Sequence, residues 1–146
     1  MKLAIVEDEV ILAMALTLML EDWGHHVVGT ADSEAGALCL VKDERPDAVV
    51  MDIRLGRRDS GLYAARLIRA SSDVPIVFCT AYADSPALQA QVAAIGNAQL
   101  VGKQVDEDQL EWLLRSIEQR QRKVVATAST FLAPVVEALE PVSNDL

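Results

Sequence analysis

The sequence predicts an open α/β fold: a doubly wound, five-stranded parallel sheet in the order 2-1-3-4-5, continued by an extended C-terminal helix or arm. Three observations carry that expectation. Five short apolar runs, rich in β-branched residues, alternate with five segments of helical spacing. The runs are nearly continuous in apolar character, as strands covered on both faces are. Four of them end in polar residues of particular kinds, Glu7 with Asp8, then Asp52, Thr80 and Lys103. In a parallel sheet the strand ends share one edge, so these five residues are expected in one crevice.

Taken in order, the strands are expected at 3–6, 27–29, 48–51, 76–79 and 99–101, each bounded by Gly, Pro or charge. Helical segments are expected at 10–22, 34–42, 61–70, 86–94 and from 106 to about 123. Leu12, Leu16, Met19 and Leu20 make one apolar stripe, and Leu110, Leu113, Leu114 and Ile117 another. Asp32–Ser33 and Ser85–Pro86 are helix-start signals, and Gly96–Asn97 is a stop signal. Right-handed crossovers place strands 1 and 3 side by side at the reversal point, delivering Glu7, Asp8 and Asp52 to the same place.

The last stripe continues through Val124, Val125, Ala128, Phe131 and Leu132 and is expected to stop near Pro134. A helix longer than its domain leaves an apolar face open. The chain therefore divides into a domain at 1–123 and an extension at 124–146, with the extension expected to contact a partner as a homodimerisation arm. A helix folded back on its own domain, or a frayed end, is the alternative.

With 146 residues, 51% of them apolar, the chain can fill one core unaided. A net charge of −9 argues against nucleic acid as partner, because phosphate-tracking proteins depend on Lys and Arg. Arg54, Arg57, Arg58, Arg66 and Arg69 form only a local basic cluster in an acidic protein; for Arg57 and Arg58, in the loop after Asp52, facing water is the simplest reading and contact with a kinase the alternative. Cys39 and Cys79 lack metal-site spacing and are expected as buried thiols, which suits the cytoplasm. No segment approaches the roughly 20 apolar residues of a membrane span, and Glu7–Glu9 interrupt any signal-peptide pattern. His25 and His26 are expected in a surface turn, and Trp23 and Trp112 as packing residues.

Three clustered carboxylates beside one ammonium are electrostatically costly. Two like charges about 4 Å apart repel by about 4 kcal/mol at an effective dielectric near 20. Either protons stay on or a cation binds, and hard oxygen ligands with open positions suit Mg2+. Asp52 stands alone at its strand end and is the natural nucleophile toward a phosphorylated donor, while Glu7 and Asp8 are placed to hold the metal. Lys103 and the Thr80 hydroxyl are then available to phosphoryl oxygens.

The stretches Ile5-Val6-Glu7-Asp8-Glu9, Val49-Val50-Met51-Asp52-Ile53-Arg54-Leu55, Val77-Phe78-Cys79-Thr80-Ala81 and Val101-Gly102-Lys103 resemble the receiver domain of bacterial two-component response regulators. The resemblance covers about residues 1–123 and implies a flavodoxin-like sheet. It implies phosphoryl transfer from a sensor histidine kinase or phosphotransfer protein to Asp52, with Mg2+ held by Asp8, Asp52 and the backbone carbonyl of Arg54. Thr80 and Lys103 would sense the phosphoryl group.

Departures from that family's pattern are specific. Gln104 follows the lysine where proline is usual, and Leu100 stands where an aromatic commonly lies three residues before it. Gly56-Arg57-Arg58-Asp59-Ser60-Gly61 replaces a proline-containing turn. The run Phe78-Cys79-Thr80-Ala81-Tyr82 resembles a variant set, frequent in alphaproteobacteria, with a Phe-x-Thr-x-Tyr motif and often no output domain. Tyr82 is then either the coupling residue or a loop tyrosine over a helix end. The expected function is a stand-alone phosphoacceptor switch, sink or shuttle acting through protein contacts, not an enzyme beyond slow autodephosphorylation. Two alternatives remain: an Mg2+-dependent phosphatase, disfavoured because Arg54 occupies the position of the second acid, and an interaction module that never carries phosphate.

Overall fold

The computed structural model describes residues 1–56, 59–102 and 107–139. In chain order the elements are β1 (Lys2–Val6), α1 (Val10–Asp22), β2 (His26–Ala31), α2 (Glu34–Glu44), β3 (Ala48–Asp52), β4 (Arg54–Leu55), β5 (Asp59–Ser60), α3 (Gly61–Arg69), β6 (Ile76–Thr80), α4 (Pro86–Ile95), β7 (Ala98–Gly102) and α5 (Glu107–Leu139). One sheet runs β2-β1-β3-β6-β7, with every pair parallel. This is the expected 2-1-3-4-5 order, because β4 and β5 pair only with each other, antiparallel.

Alternation within the strands splits the core in two. Ala4, Val6, Val49, Met51, Ile76 and Phe78 point to one face and pack with Ala37 and Val41 of α2, Ala64 and Ile68 of α3, and Val92 and Ile95 of α4. Leu3, Ile5, Val50, Val77 and Val101 point to the other and pack with Leu20 of α1 and with Leu110, Leu113, Leu114 and Ile117 of α5. Burying both faces explains the unbroken apolar runs of β1, β3 and β6. At about 25 cal/mol per Å2, each fully buried Leu, Ile or Phe contributes roughly 1.5–3 kcal/mol.

The expected boundary signals act as read. The Ser33 and Ser85 hydroxyls accept from the N–H groups of Gly36 and Leu88, capping α2 and α4. Gly96 and Asn97 both take positive φ at the end of α4. Ser60, unforeseen as a cap, accepts from the Tyr63 N–H and starts α3.

Several expectations are corrected. β2 is an edge strand and only partly buried; it begins at His26, while His25 before it is half-buried. The loop after Asp52 contains the β4–β5 hairpin. Helix α5 does not stop near Pro134 but runs to Leu139, since proline removes one hydrogen bond and weakens a helix without forbidding it. Cys39 is exposed and Cys79 buried. Trp112 is 65% exposed and does not pack, because Leu110, Leu113 and Leu114 take the inward face of its helix. On α1, Leu12 is exposed and Ala13 is buried in its place. No helix among the described residues is long and apolar enough to cross a membrane.

Candidate functional site

The topology decides which strand ends meet. β1 and β3 are neighbours with Val6 opposite Met51, so the residues that follow, Glu7 and Asp52, emerge side by side. Asp52 lies opposite Cys79 of β6, and Thr80 lies opposite Gly102, the last residue of β7. Three strands from separate parts of the chain, β1, β3 and β6, therefore present Glu7–Asp8, Asp52 and Thr80 at one edge. Lys103, which follows Gly102 in sequence, and Gln104 beside it lie outside the described residues.

Glu7, Asp8 and Asp52 each offer a carboxylate oxygen, and these oxygens lie within 4.8 Å of one another. Glu7 is 3% exposed, whereas Asp8 and Asp52 are half-buried. The backbone holds each acid in place. The Glu7 N–H donates to the Ala31 carbonyl at 2.9 Å, and the Glu9 N–H donates to Glu7 Oε1 at 3.2 Å. Gly56 donates its N–H to Asp8 Oδ2 at 2.9 Å, fastening the loop after β4 over the start of α1. The Arg54 N–H donates to Asp52 Oδ1 at 3.3 Å.

Thr80 is buried, and its Oγ1 accepts from the Tyr82 N–H at 3.2 Å. Tyr82 is exposed, and the Arg54 guanidinium carbon lies 5.6 Å from its ring centroid, a cation–π contact across the mouth of the site. The Arg54 side chain thus turns toward Tyr82, while its N–H meets Asp52.

Sequence reading missed Gly61. A Cβ there would fall 1.9 Å from the Asp52 carbonyl oxygen, and its N–H donates to the Ile53 carbonyl at 2.8 Å. Only glycine lets the start of α3 come this close to the strand that carries Asp52. It also missed the exposed apolar surface of α1, where Val10, Ile11, Met14 and Leu18 stand out beside Asp8. Val10, Met14 and Leu18 line, with Glu7 and Asp8, an open groove between α1 and β2.

Three oxygen donors converging from β1 and β3 on a partly open mouth match the requirements of a small hard cation. Such ions take one or two carboxylates and keep several waters. A cluster built of carboxylates alone, without Cys or His, disfavours softer metals.

Comparison with known proteins agrees with this geometry. The family described as the response regulator receiver domain matches residues 3–132. The phyllosphere-induced regulator PhyR of Methylorubrum extorquens is 35% identical over 82 residues, 56% of this chain and 31% of that protein. The transcriptional regulatory protein PdtaR of Mycobacterium tuberculosis is 38% identical over 81 residues, 56% of this chain and 39% of that protein. The matched segments thus span well under half of these curated relatives. Among solved structures, the anti-anti-sigma factor PhyR from Bartonella quintana superposes with a TM-score of 0.71 at 25% identity, covering 87% of this chain and 51% of that one.

Proposed function

The chain belongs to the response regulator receiver family, and from that premise we propose that Asp52 accepts a phosphoryl group from a phosphohistidine on a sensor kinase or phosphotransfer protein. The observation that carries this reading is the convergence of the Glu7, Asp8 and Asp52 carboxylates at the reversal point of the sheet. Residues 1–123 form the phosphoacceptor body and 124–146 an extension of it.

Asp8, Asp52 and the backbone carbonyl of Arg54 would hold Mg2+, with Glu7 acting through water. Bound there, the ion neutralises charge on the phosphoryl oxygens. The Asp52 carboxylate attacks phosphorus, the histidine N–P bond breaks, and the imidazole leaves with its electron pair, so that an acyl phosphate stands on Asp52. Lys103 is assigned to a second phosphoryl oxygen and the Thr80 hydroxyl to a third. The exposed apolar residues of α1 supply a contact surface for the donor protein directly beside the acid cluster.

Tyr82 provides a route outward. Its N–H is bonded to Thr80 Oγ1, so a hydroxyl drawn toward a phosphoryl oxygen gives up that bond and frees the loop carrying Tyr82 and its Arg54 partner. Phosphorylation then favours a second arrangement of this loop, and protein contacts read the difference. The protein serves as a cytoplasmic switch, or passes phosphate on as a sink or shuttle, and is no enzyme beyond slow autodephosphorylation.

The test is intact-mass measurement after incubation with acetyl phosphate and Mg2+. One phosphoryl adduct is expected on the wild type and none on Asp52→Asn or with the metal chelated. Folded wild-type protein that gains no adduct ends this reading.

A further inference from the structure

The distal part of α5 carries an apolar face that its own domain does not cover. The Gln121 Nε2 donates to the Asp47 carbonyl at 2.8 Å, near the N-terminal edge of β3, so the helix has by then crossed the sheet. Every residue from 122 to 139 is exposed. At 1.5 Å per residue this stretch extends about 25 Å beyond the body.

The exposed stretch is patterned. Val125, Ala128, Leu132, Val135 and Leu139 recur at alternating spacings of 3 and 4, the repeat of helices that pack along one another, and Phe131 flanks them. Leu132 and Val135 follow Leu114 and Ile117, both buried against the sheet, by about five helical turns. The core-facing stripe therefore continues past the end of the core.

This segment is also poor in intrinsic helix support, with Val124, Val125, Thr127 and Thr130 β-branched and Pro134 within it. A helix of that composition needs packing to persist.

We propose that residues 124–139 pair with the same segment of a second copy of this chain. Glu137 is the one charged residue between 124 and 139, so two arms meet without the repulsion that a net charge of −9 imposes elsewhere. A partner of strong opposite charge would find almost nothing to hold. The large apolar residues of the arm are 52–77% exposed, an uncovered contiguous apolar face of the kind that marks a protein contact surface. Because the arm leaves from the edge opposite the acid cluster, pairing keeps both Asp52 sites open. The inference stands independently of the phosphoacceptor reading.

Sedimentation equilibrium of the full, unphosphorylated chain from about 5 to 100 μM tests it. The wild type is expected at twice 15.8 kDa. Leu132→Asp and Val125→Asp each place two carboxylates in the paired stripe and are expected to weaken association at least 100-fold, with thermal unfolding of the body unchanged. A wild type that stays monomeric throughout, or a dimer that survives both substitutions, overturns the proposal. So does a monomer whose arm binds phosphatidylcholine or phosphatidylglycerol vesicles.

Discussion

A methyl group has no room at Gly61, because it would lie 1.9 Å from the Asp52 carbonyl oxygen and 2.9 Å from the carbonyl carbon. Backbone cannot swing aside as a side-chain tip can, so Gly61→Ala must move β3 or α3. A loss of about 3 kcal/mol is expected from the denaturant midpoint, together with slower acetyl phosphate labelling of a displaced Asp52. An unchanged midpoint would show that the close approach is not needed. His25 offers a pH test. Burial, then the adjacent terminal ammonium, holds its pKa below the usual 6.5 despite the opposing pull of Glu118 and Glu111. The unfolded chain therefore takes up the proton first, so this contribution is complete above about pH 6.5 and lost as pH falls toward the folded-state value. His25→Gln is expected to flatten the slope of melting temperature against pH between about 7 and 5; an unaltered slope refutes the assignment. Glu7, Asp8, Asp52 and Thr80 could be found from sequence because each interrupts an apolar run where a strand ends. Gly61 could not, because its constraint comes from a strand end nine positions earlier whose approach only tertiary structure reveals.

Helices α1 and α5 cover the same face of the sheet, yet their leucines differ sharply. Leu114 is fully buried, whereas Leu18 is 68% exposed. Leu114→Ala is expected to cost about 3 kcal/mol through lost burial and a residual cavity, and Leu18→Ala less than about 0.5 kcal/mol. Chemical denaturation of both variants checks the pair; equal losses would mean that α1 is seated differently. The contrast explains what patterning could reveal. In α5 charged residues separate the apolar ones, so Leu110, Leu113, Leu114 and Ile117 declare one inward face and all four are buried. In α1 the sequence VILAMALTLML is apolar nearly all round, so its stripe is legible at Leu16, Met19 and Leu20, which pack on the core, but not at its start, where Ala13 and not Leu12 is buried. Cys39 and Trp112 stand on exposed positions of α2 and α5, which residue type alone does not reveal. The β4–β5 hairpin, two residues per strand, is too short for any period to register.

The architecture pays for its acid cluster in stability, and that cost should be measurable. Pairing β1 with β3 forces Glu7, Asp8 and Asp52 together, and like charges at such distances repel by a few kcal/mol at an effective dielectric near 20. A divalent cation relieves that repulsion only in the folded chain, since unfolding scatters the three acids along 46 residues of sequence. Mg2+ is therefore expected to raise the unfolding free energy by RT ln(1 + [Mg2+]/Kd), about 1.4 kcal/mol at ten times Kd. NaCl at matched ionic strength, which only screens, should do less. Asp8→Asn separates this account from a general salt effect. The amide oxygen still accepts from the Gly56 N–H, so the loop stays fastened, while one of the clustered charges is gone. Without metal the variant is expected to melt above the wild type, and with Mg2+ to gain little, so the two stability curves cross as Mg2+ rises. A variant that melts below the wild type without metal would mean that Asp8 supports the fold instead of straining it, and parallel curves would mean that the cation binds elsewhere.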